Sequence, residues 1–137
     1  MFFNKKNKKE NSSNYVKIGA LLIHAAKIDE NYSKEEEEIV KKTLLSLGAE
    51  KDELETIIVK SKLNEENSNQ ILDFTREIKN LEEEDKIIII KSLWRIIYSN
   101  KDADIYETSL MRRLSGLLYI DSKIMGDIKE EIKNENL

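Results

Sequence analysis

The chain contains no cysteine and no proline, and it has only four glycines and one histidine. The missing thiols exclude disulfides and thiolate metal sites, and they fit a reducing cytoplasmic setting. Without proline, and with so little glycine, long uninterrupted helices form easily and tight hairpins do not. A single histidine, His24, cannot build a zinc site when no cysteine is at hand. No apolar run approaches the roughly 18 residues needed to cross a bilayer. The opening Met1-Phe2-Phe3-Asn4-Lys5-Lys6 puts its charges after its apolar residues, unlike a secretory signal. No glycine-flanked nucleophile elbow, Walker loop or dinucleotide fingerprint occurs. Acids are everywhere, but no pair stands out for hydrolytic work, so a non-enzymatic role is expected.

What remains is one domain's length of helix-forming sequence. With 39% apolar and 36% charged residues, the 137-residue chain can bury a single core while staying heavily solvated. The net charge of −4 hides an asymmetry: Lys5, Lys6, Lys8 and Lys9 face no acid within the first nine residues, which leaves −8 on the remainder. So acidic a body repels phosphate backbones, and nucleic acid is not expected as a partner. Residues 1–13 read as a disordered basic arm and 14–137 as the helical domain. The arm serves as a solubilising tail or, through Phe2, Phe3, Lys5, Lys6, Lys8 and Lys9, touches an anionic membrane transiently. Such contact would place a cytoplasmic protein at the periphery of the inner membrane. Nothing in the sequence sets an oligomeric state.

The apolar spacing predicts seven helices. Helix 1, from about Asn14 to Ile28, is apolar nearly all round and should be central. Helix 2 follows Ser33 and ends at Gly48, a natural C′ residue. Helices 3 and 4 are expected near 51–63 and 69–80. The run Ile87-Ile88-Ile89-Ile90 could suggest a strand. It lies inside an 82–99 stretch without turn signals and far longer than a strand, so helix 5 is assigned there. Helix 6 is expected over 105–119 and helix 7 after Asp121. Short connections and no strands make an all-α, seven-helix orthogonal bundle.

One pattern recurs 71 residues later: an apolar helix, an acid-rich loop, then a glutamate. Asp29, Asn31 and Glu36 form the first copy; Asn100, Asp102 and Glu107 form the second. The structural reading is a pair of capping boxes, Ser33 with Glu36 and Asp104 with Glu107. The other reading is a weakly bound divalent cation held by these six residues. Neither copy is an EF-hand, because position 6 is Lys34 or Ile105 and position 12 is Val40 or Met111. Trp94 and Tyr98 read as core or rim, and His24 as a residue satisfied by a neighbour.

The paired loops resemble the TerB-like family, named for a tellurite-resistance protein, whose halves each carry an Asp-Gly-x-x-x-x-x-Glu signature. Asp29 with Glu36 matches the first signature, with Glu30 in place of glycine. Glu107 and Leu110-Met111-Arg112-Arg113-Leu114 match the second, with Asn100 and Lys101 in place of Asp-Gly. Asp73-Phe74-Thr75-Arg76-Glu77 is similar to a stretch of an alphaproteobacterial branch. The resemblance covers about residues 15–133. It implies a bundle of two related halves with an acidic surface. It further implies links to stress responses, membrane-associated complexes and metal sensing, and a similar module occurs in a membrane-bound DnaJ-like co-chaperone. A protein partner, met at the acidic loop face, is expected, and no resident cofactor.

Overall fold

The computed structural model describes residues 8–27, 32–68, 70–99 and 105–135, with side chains described for 13–27, 32–68, 70–99 and 109–135. Seven α-helices and no strand occur among them: α1 (Lys8–Ala26), α2 (Lys34–Ser46), α3 (Leu54–Glu66), α4 (Leu72–Ile78), α5 (Glu83–Ser99), α6 (Ile105–Leu117) and α7 (Ser122–Glu135). A 3-10 turn, Lys51–Glu53, leads into α3. The expected all-α bundle is what forms.

α1 is the hub, packed against α2, α3, α4 and α5. Its residues Ile18, Ala20, Leu21, Leu22, Ile23, Ala25 and Ala26 are all buried, as its apolar circumference requires. α5 is the second central element, packed against α1, α2 and α7. The four isoleucines at 87–90 are helical, with Ile89 and Ile90 fully buried and Ile87 and Ile88 lying against the core. Where α2 crosses α5, the Thr43 and Ser92 hydroxyls lie 2.6 Å apart, and each also donates to, or reaches, the carbonyl four residues back. That arrangement satisfies two buried polar groups inside an apolar contact.

Boundaries differ from expectation in three places. α1 begins at Lys8, six residues before Asn14, so its first turns take in the second half of the segment assigned to a disordered arm. No proline or glycine stands between 8 and 14 to stop it. Residues 1–7, with Phe2, Phe3, Lys5 and Lys6, and the side chains of Lys8 and Lys9, lie outside the described residues. α3 is shifted three residues at both ends, the expected first turn being the 3-10 turn at Lys51–Glu53. α4 is shorter than 69–80: it starts only where Ile71 becomes buried, and Ile71 as its N-cap supplies no side-chain hydrogen bond.

The 71-residue register governs atoms as well as helix ends. α2 and α6 are each 13 residues long and begin and end in that register. Both close with the same turn: Ala49 N–H donates to Leu44 O (3.0 Å) and Ile120 N–H to Ser115 O (2.9 Å). Both turns hold a left-handed residue, Gly48 at φ 109° and Tyr119 at φ 58°. This is the six-to-one hydrogen bond of a Schellman motif. In each half a buried side chain from the early part of a central helix ties down the terminal carbonyl. The Tyr15 hydroxyl donates to Leu47 O (3.3 Å), and Lys86 Nζ donates to Leu118 O (2.9 Å). The unit α1–α2–α3 is thus repeated as α5–α6–α7, and α4 is the connector with no counterpart.

Candidate functional site

The first acidic loop leaves α1 at Lys27 and enters α2 through Tyr32 and Ser33. Ser33 is extended (φ −84°, ψ 166°), and its Oγ accepts from the Glu36 amide at 3.1 Å. Glu36 Oε1 in turn accepts from the Ser33 amide at 2.8 Å. Two backbone donors that the helix cannot satisfy internally are thereby satisfied reciprocally. Glu36 is buried. The capping box expected from Ser33 and Glu36 is present.

Around this entry the carboxylates are matched with lysines from other helices. Glu37 Oε1 lies 2.9 Å from Lys62 Nζ of α3, and Lys41 Nζ reaches Glu55 Oε1 at 3.0 Å and Glu37 Oε2 at 4.0 Å. The hydrogen bond from Lys62 is the main reason the Glu37 carboxyl is held below the usual range. Tyr32 donates from its hydroxyl to Glu37 Oε1 (3.4 Å) and lies under Lys62, whose Nζ is 5.6 Å from the ring centroid. Burial, followed by the neighbouring Glu37 charge, pushes the Tyr32 hydroxyl well above its ordinary value. On the α1 side, Glu65 takes Lys27 Nζ at 3.0 Å and sits 3.5 Å from His24 Nδ1, while the imidazole tilts over Phe74. His24 is satisfied by neighbours, as its place on a largely buried helix suggested.

Of the six residues proposed from the sequence, Glu36 alone is fully described. Glu107 is the third residue of α6 as Glu36 is the third of α2, so their backbones correspond; its side chain lies outside the described residues. Asp29, Asn31, Asn100 and Asp102 also lie outside them, as does Asp104 of the second expected capping box. Among the described residues no three carboxylate or histidine groups gather to hold a metal ion. Those nearest the first loop do not make a cation cage: Glu36 Oε1 serves the Ser33 amide, and Glu37 and Glu65 face lysines. Sequence reasoning missed Lys62 and Glu55. The Glu37–Lys41 spacing of four was readable, but a partner on a separate helix leaves no local signal.

The twinned three-helix units fit the resemblance noted in the sequence, and the family model for tellurite resistance protein TerB matches residues 16–130. The chain belongs to the TerB family. The matched span runs from α1 into α7 and therefore covers both halves and the α4 connector of the TerB domain. No curated protein and no solved structure matches the chain. No helix among the described residues of this TerB domain is long and apolar enough to cross a membrane. The other residues weighed from the sequence lie in the second half. Trp94 is buried and stacks on half-buried Tyr98 at 5.9 Å, at the core's rim. Arg112 and Arg113 are exposed on α6.

Proposed function

We propose that this TerB domain is a non-enzymatic binding module that docks a protein partner through its acidic loop face. The complex it joins belongs to a stress response or is membrane-associated, in keeping with the tellurite-resistance name of the family. The observation that carries this reading is the shared register of α2 and α6. Two helix entries of identical length and closure, each preceded by an acid-rich loop, are built on one duplicated frame. The frame repeats the entry of α2 at α6, and carboxylates borne at two such entries suit a surface complementary to a partner's cations. A bare cation at Glu37 or Glu65, beside the first loop, would have to displace Lys62 or Lys27.

Charge must be removed without removing the cap. Asp29→Asn, Glu36→Gln and Glu107→Gln do this, since glutamine at the third helical position keeps the capping box. The triple variant should fold normally and lose the partners that the full-length chain captures from its native lysate. An unchanged partner set would defeat the reading. Thermal scans with Ca²⁺, Mg²⁺, Mn²⁺ and Zn²⁺ separate the cation-sensor alternative. An ion at 100 times its Kd would add roughly 2.7 kcal/mol to the wild type and nothing to the variant.

A further inference from the structure

The α4 connector breaks the twofold pattern, and the break creates a groove. Leu72, Thr75 and Arg76 of α4 and Lys79 just after it face Gly116 and Leu117 of α6 and the following Tyr119, around a space of about 150 Å³. A space of that size accepts a ring or a branched side chain. Leu72 is 42% exposed and Tyr119 71% exposed, so its apolar wall is open to solvent. The cations on the rim are unmatched: Arg76 and Lys79 form no ion pair with any described residue, and neither do Arg112 and Arg113 one turn earlier on α6. The acids of α4, Asp73 and Glu77, do not line the groove. On a chain of net charge −4, the groove thus presents cations with no described acid paired to them.

Tyr119 is the second observation. Its register counterpart is Gly48, and both occupy the left-handed position of the same turn. A left-handed backbone costs an L-residue about 1–2 kcal/mol that glycine avoids. The tyrosine ring recovers little by burial, and Lys86 Nζ lies 5.7 Å from its ring centroid. That ammonium is itself bonded to Leu118 O, so the ring has a fixed cation beside it at the mouth of the groove. A strained, pre-positioned and exposed aromatic beside arginine is the composition of a binding hot spot.

We propose that the groove between α4 and α6 docks an acidic peptide segment of a partner protein. The peptide places one apolar side chain between Leu72, Leu117 and Tyr119, and its flanking carboxylates on Arg76 and Lys79. A concave slot between two helices excludes a bilayer surface, and a free phosphate would leave the apolar wall unused. The inference concerns a surface separate from the acidic loops and stands or falls independently of the function proposed for them.

The test is an NMR titration of the ¹⁵N-labelled full chain with the synthetic peptide Glu-Asp-Glu-Leu-Asp-Glu-Glu. Saturable amide shifts should concentrate at 72–79 and 112–120, with a Kd of about 0.1–1 mM. Replacing the peptide's leucine by serine should weaken binding several-fold. The double variant Arg76→Glu/Lys79→Glu should weaken it about tenfold or more. Tyr119→Gly, which suits the turn and so leaves the fold intact, should also weaken it several-fold. The proposal is overturned by an absence of saturable shifts at 5 mM peptide. It is equally overturned if the charge-reversed variant binds as well as the wild type, or if the serine peptide binds as well as the leucine peptide. The same holds if inorganic phosphate or phosphatidylserine-containing vesicles reproduce the shifts where the peptide does not.

Discussion

Gly19→Ala should lower the stability of this domain by about 1–3 kcal/mol, although alanine is the better helix former. A Cβ on Gly19 would stand 2.3 Å from Ser61 Oγ and 2.9 Å from Ser61 Cβ. Neither atom can retreat cheaply. Ser61 is fully buried on α3, and its hydroxyl donates to Val16 O at 3.1 Å, so rotating it away abandons a hydrogen bond worth about 1 kcal/mol. The alternative is for α1 and α3 to part, which loosens a contact at the hub of the bundle. Against these costs stands roughly 1 kcal/mol of helix propensity gained when glycine becomes alanine. Overpacking wins. The thermal midpoint should fall by about 5–10 °C. Ser61→Gly in the same background should recover much of the loss, because it removes both clashing atoms. Wild-type stability in Gly19→Ala, or additive rather than compensating effects in the double variant, would show that the two helices are not in close contact there.

That contact also shows where the sequence was readable and where it was not. Helix count, order and most ends followed from apolar spacing and from the lack of breakers, because those signals are local. The isoleucine run at 87–90 was resolved by length alone. The duplication was visible in the loop letters and in a few identities, Leu22/Leu93, Glu36/Glu107 and Leu47/Leu118 among them, yet its strongest support is atomic and hidden. Tyr15 and Lys86 have nothing in common as letters, but each donates from the same place to the same carbonyl. Gly48 and Tyr119 share a left-handed turn that only the first announces. At the α1–α3 contact the first half closes on Gly19 and Ser61, while the register counterparts Ile90 and Ile132 are fully buried isoleucines. One geometry accepts small residues in one half and large ones in the other, so a comparison of letters understates the repeat.

The candidate site was legible to a smaller extent. The pairing of Ser33 with Glu36 is set by a spacing of three, so it could be read directly. Lys62 and Lys27, which face Glu37 and Glu65, come from across helix interfaces, and no window of sequence contains both partners. Asp85 and Lys86 are the sharpest omissions. They follow Glu82, Glu83 and Glu84, a charge run that reads as a solvated first helical turn, yet both are buried. Burial there is imposed by α5 being central to two helical units at once, which is a property of the assembled bundle.

Asp85 leads to the second prediction, that Asp85→Asn stabilises the protein at neutral pH. Both carboxylate oxygens are buried without a hydrogen-bond partner, and the residue is 1% exposed. Burial, then the charges of Glu84 and Glu82, raises its pKa from 3.8 to about 6. The groups facing it offer no relief. Lys86 is committed to Leu118 O, and the Tyr15 hydroxyl of α1, itself pushed up to about 12 chiefly by burial, donates to Leu47 O. Between pH 4 and 6 the folded state holds a proton that the unfolded chain has released, so stability falls as pH rises through that window. The cost above pH 6 should be roughly 1–3 kcal/mol, offset in part by the 0.3–1 kcal/mol that a first-turn carboxylate gains from the helix dipole. Glu37 and Glu135 act in the opposite sense. Their lowered values, each owed mainly to a hydrogen bond from Lys62 or Arg95, give stability that is lost as pH falls. The wild type should therefore be most stable at mildly acidic pH. Subtracting its denaturation profile from that of Asp85→Asn isolates the buried group: near zero at pH 4, rising through pH 6, and flat above. A variant no more stable than wild type at pH 7.5 would mean that the carboxylate is solvated or paired in solution, and that its place at the start of α5 is favourable as it stands.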